Sequence, residues 1–196
     1  MQDIVSRPIF SEHKAWIDQQ EPVSVSDVKA QLRFVFDEED GLIAGYIASA
    51  RDRCENELNR KLRRQRVELT YSAWNSGLRL DRMGHDVQIE SIQYIDSKGI
   101  SRQLESESYR LQKRHLMMIV PAGGFEWPDL EIVNPTITVT LQAGYSQSAD
   151  IPQALKNWIC AVAASMFRNR ESHSEKPMSE LEFIGGLLDQ YRISIV

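Results

Sequence analysis

Apolar residues recur at helical spacing through residues 24–62, SVSDVKAQLRFVFDEEDGLIAGYIASARDRCENELNRKL. Val25, Val28 and Leu32 share one face of a short helix. Ser24 with Asp27 three residues on fits a capping box, in which hydroxyl and carboxylate satisfy free backbone N–H groups. Phe34, Val35 and Phe36 break the spacing and carry the chain round an apolar corner. Asp37 is placed to cap a second helix, with Glu38, Glu39 and Asp40 in a first turn where the helix dipole favours anions. Leu42, Ile43, Tyr46, Ile47, Ala50, Cys54 and Leu58 then form one stripe, with Arg51, Arg53, Glu55 and Glu57 largely off it. About twenty residues at ~1.5 Å each give a rod of about 30 Å, the dimension of a scaffold element.

The period then changes from helical to alternating. Strands are expected at 66–74 (RVELTYSAW), 87–95 (VQIESIQYI), 100–104, 109–111, 116–120 and 136–143 (TITVTLQA). Asp96-Ser-Lys-Gly99 reads as a hairpin turn, and Pro121-Ala-Gly-Gly124 with Trp127-Pro128 as an irregular loop. Pro152 stands where a helix tolerates proline, ahead of Ala154, Leu155, Trp158, Ile159, Val162, Ala163, Met166 and Phe167 on a broad apolar face. A polar linker, 169–178, leads to a last helix at 179–191, and the chain ends in Ile193, Ile195 and Val196. Residues 1–22 read as an arm with a short helix near 11–20. The order predicts an α+β fold: two N-terminal helices within 24–62, an inserted antiparallel β region over 66–145, and two C-terminal helices within 152–191 with an apolar tail. One main domain, 23–196, follows the arm.

Composition narrows the class. Hydrophobic content of 42% and charged content of 26% over 196 residues suit a soluble globular protein with a real core. A net charge of −5 argues against general nucleic-acid binding while permitting a local basic patch. Cys54 and Cys160 are too few for a disulfide framework and sit in apolar helical patterns, as buried free thiols do. No apolar run reaches the roughly eighteen residues of a membrane span, and the N-terminus has no signal-peptide core, so a soluble protein made in a reducing compartment is expected.

Catalytic signatures are missing. His13, His85, His115 and His173 are scattered, with no metal-binding spacing. There is no GxSxG elbow, phosphate loop or dinucleotide fingerprint. The acidic run 37–40 lacks the spacing and final glutamate of a calcium loop. No catalytic residue, metal site or cofactor is expected. The marked charge feature is Arg60, Lys61, Arg63, Arg64 and Arg66, which reads either as a contact for DNA or an acidic surface, or as a solvated helix end. Trp127-Pro128 beside two glycines reads as a binding loop or as a turn with a packed tryptophan. The C-terminal apolar set, Leu181, Phe183, Ile184, Leu187, Leu188, Tyr191, Ile193, Ile195 and Val196, suits a partner or neighbouring subunit better than a lone monomer.

Taken together, these segments resemble the phage head–tail connector (adaptor, or head completion) family. The capped helix with "S-x-x-D-V-K-x-x-L-R", the acidic turn and the long "L-I-x-x-Y-I-x-x-A" helix carry the resemblance. PAGGFEWP, the strand closing on "AGY", the "I-P-x-A-L-K" helix and the final "L-L-x-x-Y-R" are similar to the longer members, with a β region between the helices. The arm 1–22 departs from the pattern. So does Asn59-Arg60, where relatives carry Thr-Gly-Arg, although asparagine also adopts the left-handed cap.

The resemblance implies a structural virion protein, not an enzyme. It would join the capsid's portal protein to a tail or stopper protein as a self-assembled ring, twelve-fold in this family. DNA would pass along the channel without sequence-specific binding, and no membrane would be involved. Its place would be the neck of a phage or phage-like particle, after assembly from the host cytoplasm. A packaging-associated nucleic-acid hydrolase and a transient assembly factor are the competing readings.

Overall fold

In the computed structural model the described residues are 5–84, 86–113, 117–132, 136–169 and 186–193. They divide into two compact units. One lies within Met1–Ile17 and Arg64–Gly144, the other within Asp18–Arg63 and Tyr145–Ser194.

The first unit is antiparallel β. Its strands are β1 (Phe10–Trp16), β2 (Gln65–Tyr71), β3 (Leu78–Arg79), β4 (Val87–Ile95), β5 (Ser101–Gln103), β6 (Tyr109–Lys113), β7 (Met117–Pro121) and β8 (Ile137–Ala143). They form a five-stranded sheet in the order β1-β2-β8-β4-β5 and a three-stranded sheet in the order β3-β7-β6. β8, the last in sequence, is central. Its alternation puts Ile137, Val139, Leu141 and Ala143 in the core while Thr138, Thr140 and Gln142 are half-buried. Val67 and Leu69 from β2, Ile92 from β4 and Ile119 from β7 join that core. Gly77 is required by close approach, since a Cβ there would lie 2.8 Å from the Ile119 carbonyl oxygen. The β4–β5 hairpin turns where the sequence predicts it. Asp96 Oδ1 accepts from the N–H groups of Lys98 and Ile100 at 2.9 and 3.0 Å, and Gly99 takes φ +76°. Arg102 also grips the Asp96 carboxylate, which these hydrogen bonds hold down at about 2.

β1 corrects the expected short helix near 11–20. The segment pairs antiparallel with β2 from Phe10↔Thr70 to Trp16↔Gln65, with an irregularity at Lys14. An analogous bulge in β4 at Glu90 presents that carboxylate to Arg66, at 2.7 and 3.0 Å, and to Gln142 Nε2 at 2.7 Å.

The second unit is helical: α1 (Val25–Leu32), α2 (Asp40–Leu58) and α3 (Gln153–Arg168). The predicted capping box is present, with Asp27 N–H donating to Ser24 Oγ at 3.2 Å and Ser24 N–H to Asp27 Oδ2 at 2.9 Å. Both α1 and α2 stop on left-handed residues, Arg33 at φ +56° and Asn59 at φ +54°. The following N–H groups bond back, Phe34 to the Lys29 carbonyl and Arg60 to the Glu55 carbonyl. Val28, Ile43, Ile47, Ala50, Cys54 and Leu58 meet Leu155, Trp158, Ile159, Val162 and Phe167 of α3 in one core. Asp37 does not cap α2: Glu39 holds that position without capping the helix through its side chain, and Asp37 and Asp40 instead hold Lys29.

The fold is therefore α+β. Of the four helices expected, three are described. Leu181, Phe183 and Ile184 of the fourth lie outside the described residues, and 186–191 form a turn and a 3-10 helix, Asp189–Tyr191, in place of an α-helix.

Candidate interaction surface

The basic run is not a solvated helix end. α2 stops at Leu58, and Arg63 and Arg64, each 8% exposed, turn inward. Arg63 Nε donates to the Asp18 carbonyl and its Nη1 to Glu21 Oε1, both at 2.8 Å. Arg64 Nη1 donates to the Gly144 carbonyl at 2.9 Å and the Asp86 carbonyl at 3.2 Å. Each guanidinium thus donates to backbone carbonyl oxygens, that of buried Gly144 among them. Arg60 and Lys61 are half-buried, Lys61 lying 3.6 Å from Glu55 Oε2, and Arg66 is exposed against Glu90.

Glu21 and Glu55 organise the helical unit's charges. Glu21 Oε2 accepts from Arg51 Nε at 2.8 Å while Oε1 takes Arg63. Glu55 Oε1 accepts from the Leu62 and Arg63 N–H groups at 2.9 and 3.3 Å and lies 3.7 Å from Arg51 Nη1. Arg51 and Glu55, expected off the buried stripe, are both buried. Their spacing held the missed signal: Ile47, Arg51, Glu55 and Leu58 follow one row of the helix surface. Nearby, Asp18 Oδ2 accepts the Ser148 N–H at 3.0 Å and hydroxyl at 2.6 Å. Burial raises the Asp18 carboxyl, but bonds from Ser148 and Gln20 with the charge of Arg63 outweigh it and hold it below its ordinary value.

The C-terminal set divides. Leu188 is buried in the helical core, and Tyr191 packs against it. Ile193 N–H donates to the Leu58 carbonyl at 3.0 Å, and Asn59 Nδ2 donates to the Ile193 carbonyl at 3.0 Å. Leu187 is half-buried, while Leu181, Phe183, Ile184, Ile195 and Val196 lie outside the described residues. The apolar corner after α1 was read from sequence only as a bend, yet Val35 and Phe36 project from it, 79% and 62% exposed. Phe34 ties the corner inward, edge-on to Phe167 at 5.3 Å and to Phe36 at 5.6 Å.

Trp127 is the packed tryptophan of a turn, stacked on Trp74 at 4.7 Å and 8°. Among the described residues no group of three or more His, Cys, Asp or Glu could hold a metal ion. Burial, with Glu55 and Glu57 adding negative charge, pushes the Cys54 thiol up to about 12, which leaves it inert as a nucleophile. No described helix is long and apolar enough to cross a membrane.

Residues 22–110 match the family described as phage gp6-like head-tail connector protein, and over that span the resemblance read from the residues is borne out. No curated protein matches the chain. Among solved structures the fold is similar to a chain of the virion of a native gene transfer agent (GTA) particle, with TM-score 0.76 and 15% identity over 96% of this chain and 97% of that one. It is similar also to chains in the neck of an empty GTA particle computed with C6 symmetry, TM-score 0.74, and in the neck of a native GTA particle computed with C12 symmetry, TM-score 0.69. Both are 16% identical, with the same shares covered.

Proposed function

We propose that this chain, which carries the head–tail connector pattern over residues 22–110, is a structural neck protein of a phage or phage-like particle. The observation that carries the reading is that match, joined to a likeness of fold spanning 96% of the chain with GTA virion and neck chains. It assembles as a ring of identical subunits, twelve in the reading taken here. One rim meets the portal protein and the other a tail or stopper protein. The particle neck is its place of work, and it performs no catalysis.

Residues 178–196 are the proposed contact with the portal or an adjacent subunit. Leu188 and Ile193 anchor the segment to its own subunit, so the outward contact falls to Leu181, Phe183, Ile184, Leu187, Tyr191, Ile195 and Val196. DNA slides through without sequence-specific binding: Arg63 and Arg64 are taken up internally, which leaves Arg60, Lys61 and Arg66 for phosphate.

Native mass measurement with and without the portal protein of the same particle tests the reading. A closed ring, free or on the portal, is the expected species. A protein that stays monomeric in both and is missing from purified particles overturns it, in favour of a transient assembly factor.

A further inference from the structure

The hairpin of β6 and β7 carries cations that no described carboxylate takes up. Residues 108–125 contain Arg110, Lys113 and Arg114 and no acid, in a chain whose net charge is −5. Arg110 and Lys113 lie exposed on β6, the outer strand of the three-stranded sheet. Lys113 pairs with Met117 across the hairpin, and on Met117's other side the Leu80 N–H donates to its carbonyl at 2.9 Å. Lys113 and Leu80 are thus two strand spacings apart, roughly 10 Å. Arg82, also exposed, follows two residues past Leu80. Because β6 is an edge strand, long side chains on both its faces reach a partner lying along that edge. The acids nearest in sequence are engaged or stand at the far end. Asp81 holds Arg79 at 3.0 Å, Asp86 lies 3.4 Å from Arg64, and Glu105 and Glu107 precede β6 on the side away from the turn. Among the described residues no ion pair or side-chain hydrogen bond reaches Arg82, Arg110 or Lys113. Arg82 is moreover held at φ +66°, the third residue of a turn closed by the Met83 N–H on the Leu80 carbonyl. Glycine would be relaxed there and a side chain is not. An arginine kept in a strained turn with its guanidinium exposed points to a role outside the subunit.

We propose that Arg82, Arg110 and Lys113 form a contact site for the phosphate backbone of duplex DNA and read no sequence in it. The site rests on the neck reading, which brings DNA alongside this chain, and it lies outside the basic run 60–66. What the patch lacks favours DNA over an acidic protein surface. Protein contacts are organised on large apolar or aromatic anchors that lose their water. None of the exposed large apolar side chains lies within 78–84, 108–113 or 117–121. Cations about 10 Å apart suit a polyanion with a charge every ~3.4 Å along each strand, because each cation meets a phosphate at almost any register. Without a base-edge or apolar anchor the contact stays weak and salt-dependent, and a duplex moves past it.

Fluorescence anisotropy of a labelled mixed-sequence duplex with the full-length protein, at salt stepped between about 50 and 200 mM, tests the site. The triple variant Arg82→Gln, Arg110→Gln, Lys113→Gln should bind at least about tenfold more weakly at the lowest salt. It should also lose about three from the slope of log affinity against log salt. Lys98→Gln, at an exposed cation on the β4–β5 turn, should change both far less. A triple variant that binds duplex like wild type and still forms rings by native mass would overturn the site and leave the neck reading standing. One that keeps duplex binding but no longer joins the portal would overturn it in favour of an acidic protein partner. Wild type that binds no duplex at about 50 mM salt, free or on the portal, would overturn it too. Wild type that binds duplex through these residues yet enters no ring or particle would uphold the site and remove the neck reading. Arg82→Gly supplies a second measurement. It should melt no lower than wild type, since the left-handed turn relaxes, while binding duplex several-fold more weakly. Wild-type affinity in that variant would take Arg82 out of the site and overturn it as drawn.

Discussion

Glu55 shows how much one buried acid can organise: two backbone N–H groups, Arg51 and Lys61 all converge on its carboxylate. Truncating it leaves the buried Leu62 and Arg63 N–H groups without their acceptor, while Arg51 keeps Glu21 and Asp52, and two buried donors left unsatisfied cost about 3 kcal/mol together. Glu55→Ala should therefore lose about that much in urea unfolding. Arg66→Gln, at an exposed pair, should lose less than about 1 kcal/mol. Asp18 supplies a pH signature. Its folded pKa lies below the ordinary 3.8, so its contribution is whole above that value and fades as pH falls through the lower folded pKa. Wild type should lose stability over that acid range more steeply than Asp18→Asn, as read by unfolding midpoints at stepped pH. At this scale the sequence was half legible. The capping acid Asp27 was plain because its partner Ser24 is three residues away. The roles of Glu21, Arg63 and Arg64 were hidden because their partners come from distant segments.

Elements were legible where they have a buried face and local punctuation. β4 and β8 alternate against a core, and α2 ends on an asparagine able to take positive φ. β1 was missed for a physical reason. As an edge strand it has every residue from Phe10 to Ala15 exposed, so no alternation marks it, and its partner β2 lies some fifty residues on. The cap at Asn59 separates two effects. Asn59→Ala strains the left-handed backbone and removes the bond to the Ile193 carbonyl, for a combined loss of about 2 kcal/mol. Asn59→Gly keeps the backbone relaxed and should lose only about half of that, a difference that thermal melts of the two variants would resolve.

For the whole molecule, the class was readable and the place of the N-terminal segment was not. Helical and alternating periods, in order, gave α+β, and the segments within 22–110 carried the resemblance that the family match bears out over that span. Arg64–Gly144 stands between the helical stretches Asp18–Arg63 and Tyr145–Ser194, as an inserted segment does, whereas the membership of Met1–Ile17 in the same β unit was hidden because β1 pairs with a strand some fifty residues on. The C-terminal set reads differently once Leu188 lies in the helical core and Ile193 bonds to the end of α2. Deleting residues 178–196 should accordingly lower the melting temperature of the helical unit, besides any loss of assembly. A truncated protein that melts like the full chain would show that Leu188 and Ile193 contribute nothing measurable to that unit.

The central place of β8 sets a timetable for synthesis. β2 and β4 emerge from the ribosome well before Ile137–Ala143, the strand that lies between them, and α1 and α2 wait for Gln153–Arg168. The β core cannot close before Ala143 is made, about three-quarters of the way along the 196 residues, and the helical core not before Arg168. Until then the nascent chain shows unpaired strand edges and the bare stripe of α2, the kind of surface that chaperones hold and that aggregates form on. Such distant pairings also make for slow folding. The subunit thus ripens only near the end of translation, and a chain released early, at residue 110, should go to proteolysis rather than accumulate.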